Sequence, residues 1–293
     1  MRVVHVLRKL DPAEWGGTET AIERLCDGLR EHGVESVLYC PRLAQPVKDD
    51  PLVRAGYEVQ RFNAFVPVLG ISAERKRQLV AVGGNLLSFD LLSSLLLESS
   101  ASVIHSHALG RIGGIALMVA RQRRLPFVVT IHGGVLDLPQ RLKAEFNQSL
   151  KGGWDWGKLF GLLFQSHRLF RDADAILTCN EKEAALLRER YPSKCIVVQP
   201  HGVPTAVYER DCREGARSAF PQIVGRQVLL NVGRIDPVKN QGWLVEQAPE
   251  IFRKFPETIL VLAGPCTDEP YGESIRDQIA ALGLQDRILL TGG

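Results

Sequence analysis

The chain has 293 residues, and this length favours two domains over one because single hydrophobic cores rarely grow past about 250 residues. Its 36 basic and 33 acidic residues leave a formal net charge of +3, which is too balanced to indicate nucleic-acid binding by bulk electrostatics. Any anion must therefore be bound by a local group of cations.

Short runs rich in Val, Ile and Leu alternate with stretches of helical periodicity along the chain. The runs that predict strands are RVVHVL, ESVLYC, YEVQRF, ASVIHSH, PFVVTIHG, DAILTC, CIVVQP, QVLLNVG, TILVLAG and RILLTG. Apolar runs of this kind are typical of strands covered on both faces, and helices between them indicate right-handed crossovers in a parallel sheet. The predicted fold is therefore α/β, with Rossmann-like, doubly wound domains.

Domain boundaries follow from the spacing of these runs, because seven precede residue 200 and three follow residue 226. We predict an N-terminal domain over residues 1–204, a hinge with a short helix over 205–225, and a C-terminal domain over 226–293. The last range offers three strands and two helices, about half of a doubly wound domain. We therefore expect the second domain to be incomplete and to leave an apolar sheet edge uncovered, in a fragment or against a partner.

Two helices are predicted with particular features. The first follows the first strand, begins near Thr18 or Glu19 and ends at Gly33. The second, WDWGKLFGLLFQSHRLFRDA, places one apolar stripe along its length: Trp156, Leu159, Phe160, Leu163, Phe164 and Phe170. We interpret the stripe as packing on the sheet. The alternative is that it rests on a membrane surface, with its flanking cations beside anionic headgroups.

The cysteines and the longest apolar segments are used to predict the cellular compartment of the protein. The six cysteines form no CxxC pair, and we interpret them as reduced core residues, which disfavours a zinc site. The start MRVVHVLRKL predicts a strand rather than a secretory signal. The longest apolar stretch is interrupted by Asp90 and falls short of the about 20 residues that a spanning helix needs. We expect a cytoplasmic protein, with peripheral contact with the inner face of the membrane as an option.

The residues that follow the strands carry the functional signal, because ligands of doubly wound sheets bind beyond the carboxyl ends of the strands. Gly16 and Gly17 stand at a helix start, where a backbone can approach a phosphate and offer amide donors, although an ordinary tight turn is the alternative. They lack the GxGxxG spacing of a nicotinamide or flavin site. After the eighth predicted strand, Arg234 and Lys239 could converge on a diphosphate, or could be two solvated loop cations.

Histidines follow the fourth and fifth predicted strands. His132 stands at the end of the fifth, and His105 and His107 share one face of the fourth because side chains alternate along a strand. Such a pair invites a metal, but no carboxylate or cysteine stands nearby at ligand spacing. We therefore expect no metal site and a functional role for at most one of the pair.

An ordered series of motifs resembles glycosyltransferase family four, retaining enzymes of the GT-B architecture. The motifs are WGGTE, TIHGG, CNEKE, VVQPHGVP, NVGRIDPVKN and ILVLAGP, and they span nearly the whole chain. The resemblance implies that Arg234 and Lys239 bind the donor diphosphate and that His132 lies beside the transferred sugar. It also implies that Gly16 and Gly17 form a loop closing on the sugar and phosphate. Further substrate-binding residues are expected within the same motifs, namely Thr18, Glu19, Gly133, Gly233 and Gly264. His107, after the fourth predicted strand, is expected to bind substrate as well.

The sequence departs from the family pattern at two places. The Asn-Gly-Val-Asp common before the family's hinge is His201-Gly202-Val203-Pro204 here. Family members also continue past the strand ending in LLTGG with a nucleobase-binding segment, an acidic motif of two glutamates and a returning helix. Because the sequence stops at Gly293, the resemblance implies a C-terminally truncated member.

The resemblance implies a hexosyltransferase that moves a sugar from a nucleotide-sugar donor to the hydroxyl of a saccharide or lipid-linked acceptor. It implies retention at the anomeric carbon, no metal or other cofactor, and a role in cell-surface polysaccharide or glycolipid synthesis. The departing phosphate would take the acceptor proton, and no paired carboxylates in the strand-end loops suggest a hydrolase. The acceptor is expected on the N-terminal domain. An inactive fragment that binds an acceptor or partner is the alternative, and a nucleotide-sugar epimerase is a third hypothesis.

Overall fold

A computed structural model describes residues 1–43, 49–81, 86–133 and 153–292. These residues form two compact units, Met1–Val203 and Pro204–Gly293, and each unit has its own parallel sheet with helices. Both units are therefore α/β, which confirms the predicted fold class. None of the helices in these ranges is long and apolar enough to cross a bilayer.

The described part of the N-terminal unit contains nine strands. They are β1 Arg2–Val6, β2 Glu35–Pro41, β3 Glu58–Phe62, β4 Val68–Leu69, β5 Val103–Ser106, β6 Phe127–Ile131, β7 Trp154–Asp155, β8 Ala175–Thr178 and β9 Cys195–Val198. Seven of them form one parallel sheet in the order β3-β2-β1-β5-β6-β8-β9, and these are the seven that the sequence predicts before residue 200. The short strands β4 and β7 pair with each other and were not predicted.

The helices of this unit connect the strands. They are α1 Gly17–Glu31, α2 Pro51–Arg54, α3 Ala73–Ala81, α4 Phe89–Leu97, α5 Gly110–Gln122, α6 Lys158–Leu163, α7 Leu169–Asp172 and α8 Glu181–Arg190. α1 begins one residue before the predicted start. Directly after the helix, Gly33 has a φ of 70°, the left-handed conformation that lets glycine end a helix, so the predicted stop is confirmed.

The seven-stranded sheet is covered on both faces. In β2, Val37 and Tyr39 join one apolar cluster while Leu38 and Cys40 join another, as the alternation of side chains along a strand requires. α1 covers the second cluster through Ile22. Because both faces are buried, the sheet can present ligand-binding residues only at its edges and at the ends of its strands.

α5 lies deep in the larger cluster, and most of its sides are buried. Two glycines permit this close packing. A Cβ atom on Gly113 would stand 2.3 Å from the carbonyl oxygen of Ala108, and one on Gly114 would stand 2.9 Å from the carbonyl oxygen of Phe164. Backbone atoms cannot yield to a side chain at such distances, so these two positions require glycine.

The segment predicted as one helix over residues 154–173 is broken, and that prediction is wrong. β7, α6, a 3-10 turn Ser166–Arg168 and α7 replace it, and Gln165 interrupts the helix with a φ of 53°. Trp156, Phe160, Phe164 and Phe170 do pack against the core. Two further members of the predicted stripe, both in α6, are instead exposed: Leu159 and Leu163.

The C-terminal unit has a three-stranded parallel sheet in the order β10-β11-β12. Its elements are α9 Ala206–Glu209, α10 Arg213–Ala219, β10 Gln227–Val232, α11 Gln241–Lys254, β11 Thr258–Ala263, α12 Glu269–Ala281 and β12 Ile288–Gly292. The three strands and two helices predicted after residue 226 are all present. The edge strand β10 exposes Val228, Leu230 and Val232, in agreement with the expected uncovered apolar edge.

The cysteines are all free, but the interpretation of them as core residues holds only in part. Cys26 and Cys40 are buried, whereas Cys195 and Cys212 are exposed. Cys195 begins β9, at the edge of its sheet, where one side of the strand has no neighbour to cover it. The apolar run around a cysteine therefore predicts a strand without predicting burial.

Candidate functional site

A row of histidines lies among the central strands of the N-terminal unit. β1 and β5 pair in parallel with His5 opposite His105, and His107 and His132 follow β5 and β6. Nδ1 of His5 lies 3.1 Å from Nε2 of His107, and Nδ1 of His107 lies 2.9 Å from Nε2 of His132. The ring of His201 stacks on that of His132 with 5.8 Å between centroids. The structure thus brings the predicted residues His107 and His132 into direct contact.

Sequence reasoning missed His5 and His201. His5 stands inside an apolar strand and belongs to no motif, so only the register of β1 against β5 reveals its neighbours. His201 was noted as a departure from a family motif without a role. The signal that could have found His5 is the order of the strands, since β1 is central in every doubly wound sheet of this type.

The pKa values of four of these histidines, His5, His105, His107 and His132, lie below the ordinary value, which favours neutral rings at pH 7. Burial lowers the pKa of His5 to about 4. Burial is also the main reason that the pKa of His132 falls to about 4, with smaller contributions from two nearby basic groups. The pKa values of His105 and His107 lie well below the ordinary value, first because of burial and then because of the neighbouring imidazoles. A neutral imidazole has one N–H donor and one bare nitrogen acceptor, so each ring can do both.

A cavity of about 190 Å³ opens beside this row. Its lining includes Arg24, His107, Thr130, His132 and His201. Nδ1 of His132 is buried and has no hydrogen-bond partner among the described residues. A buried polar atom without a partner is costly, so this nitrogen is suited to a hydrogen bond with a ligand.

The predicted loop after β1 is built differently from the expectation. Gly16 caps α1, and its N–H donates to Oε2 of the buried Glu19 at 3.1 Å. The Gly16 amide is therefore not a free donor, because the carboxylate three residues later takes it. Hydrogen bonding within the helix begins where the N–H of Thr20 donates to the Gly16 carbonyl. The amides of Gly17, Thr18 and Glu19 precede that bond and remain the candidate anion donors.

Gly133 follows His132 and turns the chain away from β6. Its φ of 96° is in the region that favours glycine, and a Cβ atom there would lie 3.5 Å from Sγ of Cys179. The rest of the TIHGG motif, Gly134, lies outside the described residues.

In the C-terminal unit, the loops after β10 and β11 are in close contact. The N–H of Gly233 donates to the carbonyl of Ala263 at 2.8 Å, and that of Ile235 donates to the carbonyl of Pro265 at 2.9 Å. A Cβ atom on Gly264 would stand 2.2 Å from the Gly233 oxygen. Glycine is therefore required at position 264 for this approach, whether or not it also binds a ligand.

Arg234 and Lys239 both belong to the loop after β10. Nη2 of the half-exposed Arg234 lies 3.2 Å from Oδ2 of Asp236. Asp236 is itself buried, and its other oxygen accepts from the N–H of Lys239 at 3.1 Å. The exposed Lys239 runs its stem along Gly233, since a Cβ atom there would lie 3.8 Å from Cδ of the lysine. One carboxylate thus orients the guanidinium and caps the turn that carries the lysine.

Asp236 and Gln241 also support this loop, and sequence reasoning did not name them. Nε2 of the buried Gln241 donates to the carbonyl of Arg234 at 2.8 Å. Asp236 precedes the proline of a 3-10 turn, Pro237–Lys239. An aspartate directly before a proline is a recognised helix-start pattern, so this residue was detectable from the sequence.

A second cavity in the N-terminal unit, of about 560 Å³, is lined by basic side chains. Arg8, Arg111, Lys158 and His167 contribute to its wall. Arg111 is buried and paired with Asp155 at 2.5 Å. The other three leave the wall with an excess of basic groups, which suits an anionic ligand.

Models of known protein families match the sequences of both units. A model described as a glycosyl transferase 4-like domain matches residues 16–202, and one described as glycosyl transferases group 1 matches residues 214–293. The D-inositol 3-phosphate glycosyltransferase of Kineococcus radiotolerans is 25% identical over 283 residues, which are 92% of this chain and 61% of that protein. That of Rhodococcus erythropolis is 31% identical over 261 residues, 85% of this chain and 55% of that protein. The chain thus spans less than two thirds of the length of these relatives.

Solved structures share the fold. Anabaena Alr3699/HepE, in complex with UDP, has a TM-score of 0.68 at 14% identity, covering 100% of this chain and 69% of its own. The UDP-GlcNAc 2-epimerase of Neisseria meningitidis, bound to UDP-GlcNAc, has a TM-score of 0.57 at 14% identity, covering 100% of this chain and 72% of its own. At such identities these likenesses establish the fold alone. The family models match over both units, and the chain belongs to the GT-B glycosyltransferases with a glycosyl transferase 4-like domain.

Proposed function

We propose that the protein is a retaining glycosyltransferase that moves a sugar from a nucleotide-sugar donor to an acceptor hydroxyl. The observation that carries this proposal is the loop after β10, where Asp236 orients Arg234 and caps the turn that bears Lys239. The family models support it, and so do the relatives, which are named as glycosyltransferases. Alr3699/HepE, which shares the fold, was solved with UDP, which supports a nucleotide donor.

The role proposed for Arg234 and Lys239 is to bind the donor diphosphate. Negative charge accumulates on that group as the glycosidic bond breaks, and oriented cations stabilise it more in the transition state than in the ground state. By analogy with oxyanion holes, each well-placed donor contributes about 2.7–4 kcal/mol. The ion pair with Asp236 holds the guanidinium in place before the ligand arrives, so little reorganisation is needed.

The role proposed for His132 is to form a hydrogen bond with a sugar hydroxyl. Its buried Nδ1 without a partner beside the 190 Å³ cavity supports this. The amides at the start of α1, after Gly16, are proposed to bind a phosphate or a sugar oxygen, since they precede the first hydrogen bond within the helix. Transfer with retention needs no carboxylate nucleophile if the departing phosphate takes the acceptor proton.

The acceptor is proposed to carry an anionic group. The 560 Å³ cavity, with Arg8, Lys158 and His167 in its wall, supports this class. The name of the relatives, D-inositol 3-phosphate glycosyltransferase, points to a phosphorylated acceptor in those proteins. We further propose a role in polysaccharide or glycolipid synthesis at the inner face of the membrane, where a lipid-linked acceptor would be reached.

Peripheral membrane contact is supported by apolar side chains on and beside α6. Trp154, Leu159, Leu162 and Leu163 are all exposed, and Lys158 stands among them. Aromatic and aliphatic side chains beside a cation are typical of interfacial segments. Co-sedimentation with anionic vesicles should weaken when Trp154 and Leu159 are both replaced by alanine. Unchanged binding of that variant would end the membrane proposal.

The activity is tested by incubating the chain with labelled UDP-, GDP- and ADP-sugars and a panel of acceptors. The panel contains neutral saccharides, an inositol phosphate and a lipid-linked saccharide. We expect transfer from one donor class, and proton NMR of the product should show the anomeric configuration of the donor. Saturable nucleotide binding without transfer to any acceptor would favour the alternative, a protein that binds an acceptor or partner. Interconversion of the donor sugar without acceptor would favour the epimerase hypothesis.

A further inference from the structure

We propose that His5 and His107 are positioning residues that fix the tautomer of His132, so that His132 presents a bare Nδ1 to the cavity as a hydrogen-bond acceptor. The hydroxyl that it would accept from is assigned by the proposed function. The tautomers themselves are a property of the protein without ligand and can be observed whether or not it transfers sugar.

The geometry is an unbroken chain of four side chains. Oγ of Ser36 lies 3.3 Å from Nε2 of His5, Nδ1 of His5 lies 3.1 Å from Nε2 of His107, and Nδ1 of His107 lies 2.9 Å from Nε2 of His132. Both links between rings join the Nδ1 of one ring to the Nε2 of the next. Only the last atom, Nδ1 of His132, has no partner among the described residues.

In such a row of hydrogen-bonded neutral rings, the tautomer of each ring determines the tautomer of the next. Each link needs one proton, and each neutral ring supplies one, so all three rings must carry the proton on the same nitrogen. A ring with the other tautomer would leave two N–H groups or two bare nitrogens facing each other. Because His5 and His107 are both buried, such a mismatch leaves polar groups without partners away from water, which is costly. Two states remain, with all protons on Nε2 or all on Nδ1.

The state with all protons on Nε2 is favoured by the chemistry of the rings. Nε2–H is the more stable tautomer of an isolated neutral imidazole side chain, and the preference counts once for each of the three rings. The hydroxyl oxygen of Ser36, 3.3 Å from Nε2 of His5, can accept the proton at the end of the row. In this state His132 donates from Nε2 to His107, and its Nδ1 is bare.

A metal ion is the competing account of the same cluster. One ring nitrogen each of His5, His105 and His107 lie within 4.8 Å of one another, which would admit three ligands. The hydrogen bonds argue against it, because Nδ1 of His5 and Nε2 of His107 already satisfy each other. His105 is not part of this row of hydrogen bonds, because its Nε2 lies 2.7 Å from Oγ1 of Thr130 instead.

The test is nitrogen NMR of the histidine rings in the full chain without ligand. We expect His5, His107 and His132 each to show a protonated Nε2 and a bare Nδ1 at neutral pH. Ser36→Ala removes one oxygen and leaves Nε2–H of His5 without an acceptor. Because a buried bare nitrogen is tolerated better than a buried free N–H, the protons should all move to Nδ1. The readout is therefore a switch of His132 to Nδ1–H, three links from the mutation.

His105→Gln is the matched control, because His105 is equally buried and adjacent to the chain but is not a link in it. It should leave the tautomer of His132 unchanged. The proposal is overturned if the wild-type rings show mixed tautomers, a shared Nδ1–H state or a charged ring. It is also overturned if one equivalent of metal co-purifies on these rings, or if His132 keeps its tautomer in Ser36→Ala.

Discussion

A Cβ atom on Gly264 would stand only 2.2 Å from the carbonyl oxygen of Gly233, so the backbone of Gly233 leaves no room for a side chain there. The contact joins the ends of β10 and β11, and it sets the path of the loop that continues with Arg234. The glycine of the ILVLAGP motif is therefore explained first by packing between two backbones.

Gly264→Ala should destabilise the C-terminal unit. Its φ of 150° is unfavourable for alanine, and the added methyl would collide with the backbone, so a loss of about 1–3 kcal/mol is expected. Urea unfolding checks this. Gly215→Ala is the control, because Gly215 lies in α10 with open space around it and should be neutral or stabilising. Equal stability of the two variants would show that the β10–β11 contact is not tight.

Glu19→Ala should weaken the start of α1. The Gly16 amide would lose its acceptor, and loss of a cap of this kind costs about 0.5–2 kcal/mol. Glu19→Gln keeps an oxygen at the same place and should be close to the wild type. Denaturant titration of both variants is the measurement. If the glutamine variant falls as far as the alanine variant, the charge of Glu19 matters rather than its hydrogen bond to Gly16.

Stability should fall as the pH is lowered from 7 to 5. The pKa of His5 and that of His132 are lowered to about 4, while histidines of the unfolded chain titrate near 6.5. Between those values the unfolded chain binds more protons, so stability is fully present above the unfolded pKa and is lost toward the folded one. Each histidine contributes up to about 1.4 kcal/mol per pH unit.

The midpoint of thermal unfolding at several pH values measures this effect. His5→Phe removes one of the buried imidazoles and should flatten the pH dependence, whereas His32→Gln changes an exposed histidine and should not. A wild-type midpoint that is constant or higher at pH 5 would contradict the assignment of neutral, buried rings.

Much of the fold could be predicted from the sequence, because periodicity and turn residues are local signals. The seven apolar runs before residue 200 all became strands of one sheet, and Gly33 ended α1 as its position indicated. The prediction of one continuous helix around Gln165 was wrong because the apolar spacing continues through Gln165, which adopts a left-handed conformation. Nothing in the local sequence marks that break, which depends on how α6 and α7 dock onto α5.

The candidate site could be predicted only where a motif stands at a strand end. Arg234 and Lys239 were predicted in this way and their binding role stays a prediction, whereas their shared contacts with Asp236 emerged from the fold. No motif marks His5, so only the central position of β1 and its register against β5 bring it to the site. The use of the Gly16 amide by Glu19 was hidden for a different reason, because a carboxylate at that spacing can cap a helix or bind a substrate.

Mutation of Arg234 and of Lys239 should show how much each side chain contributes to binding a nucleoside diphosphate. Arg234→Ala and Lys239→Ala each remove a charge-assisted hydrogen-bond donor, which is typically worth about 1.5–3 kcal/mol. Each variant should therefore bind a nucleoside diphosphate roughly 10- to 150-fold more weakly. Lys254→Ala removes an equally exposed cation from the last turn of α11 and should leave that affinity unchanged.

Calorimetric titration of the chain with UDP, GDP and ADP tests the central claim most directly. The account predicts saturable binding of at least one of them, weakened by Arg234→Ala and by Lys239→Ala but not by Lys254→Ala. Binding that is equally strong in all three variants, or no binding of any nucleoside diphosphate by the wild-type chain, would contradict it.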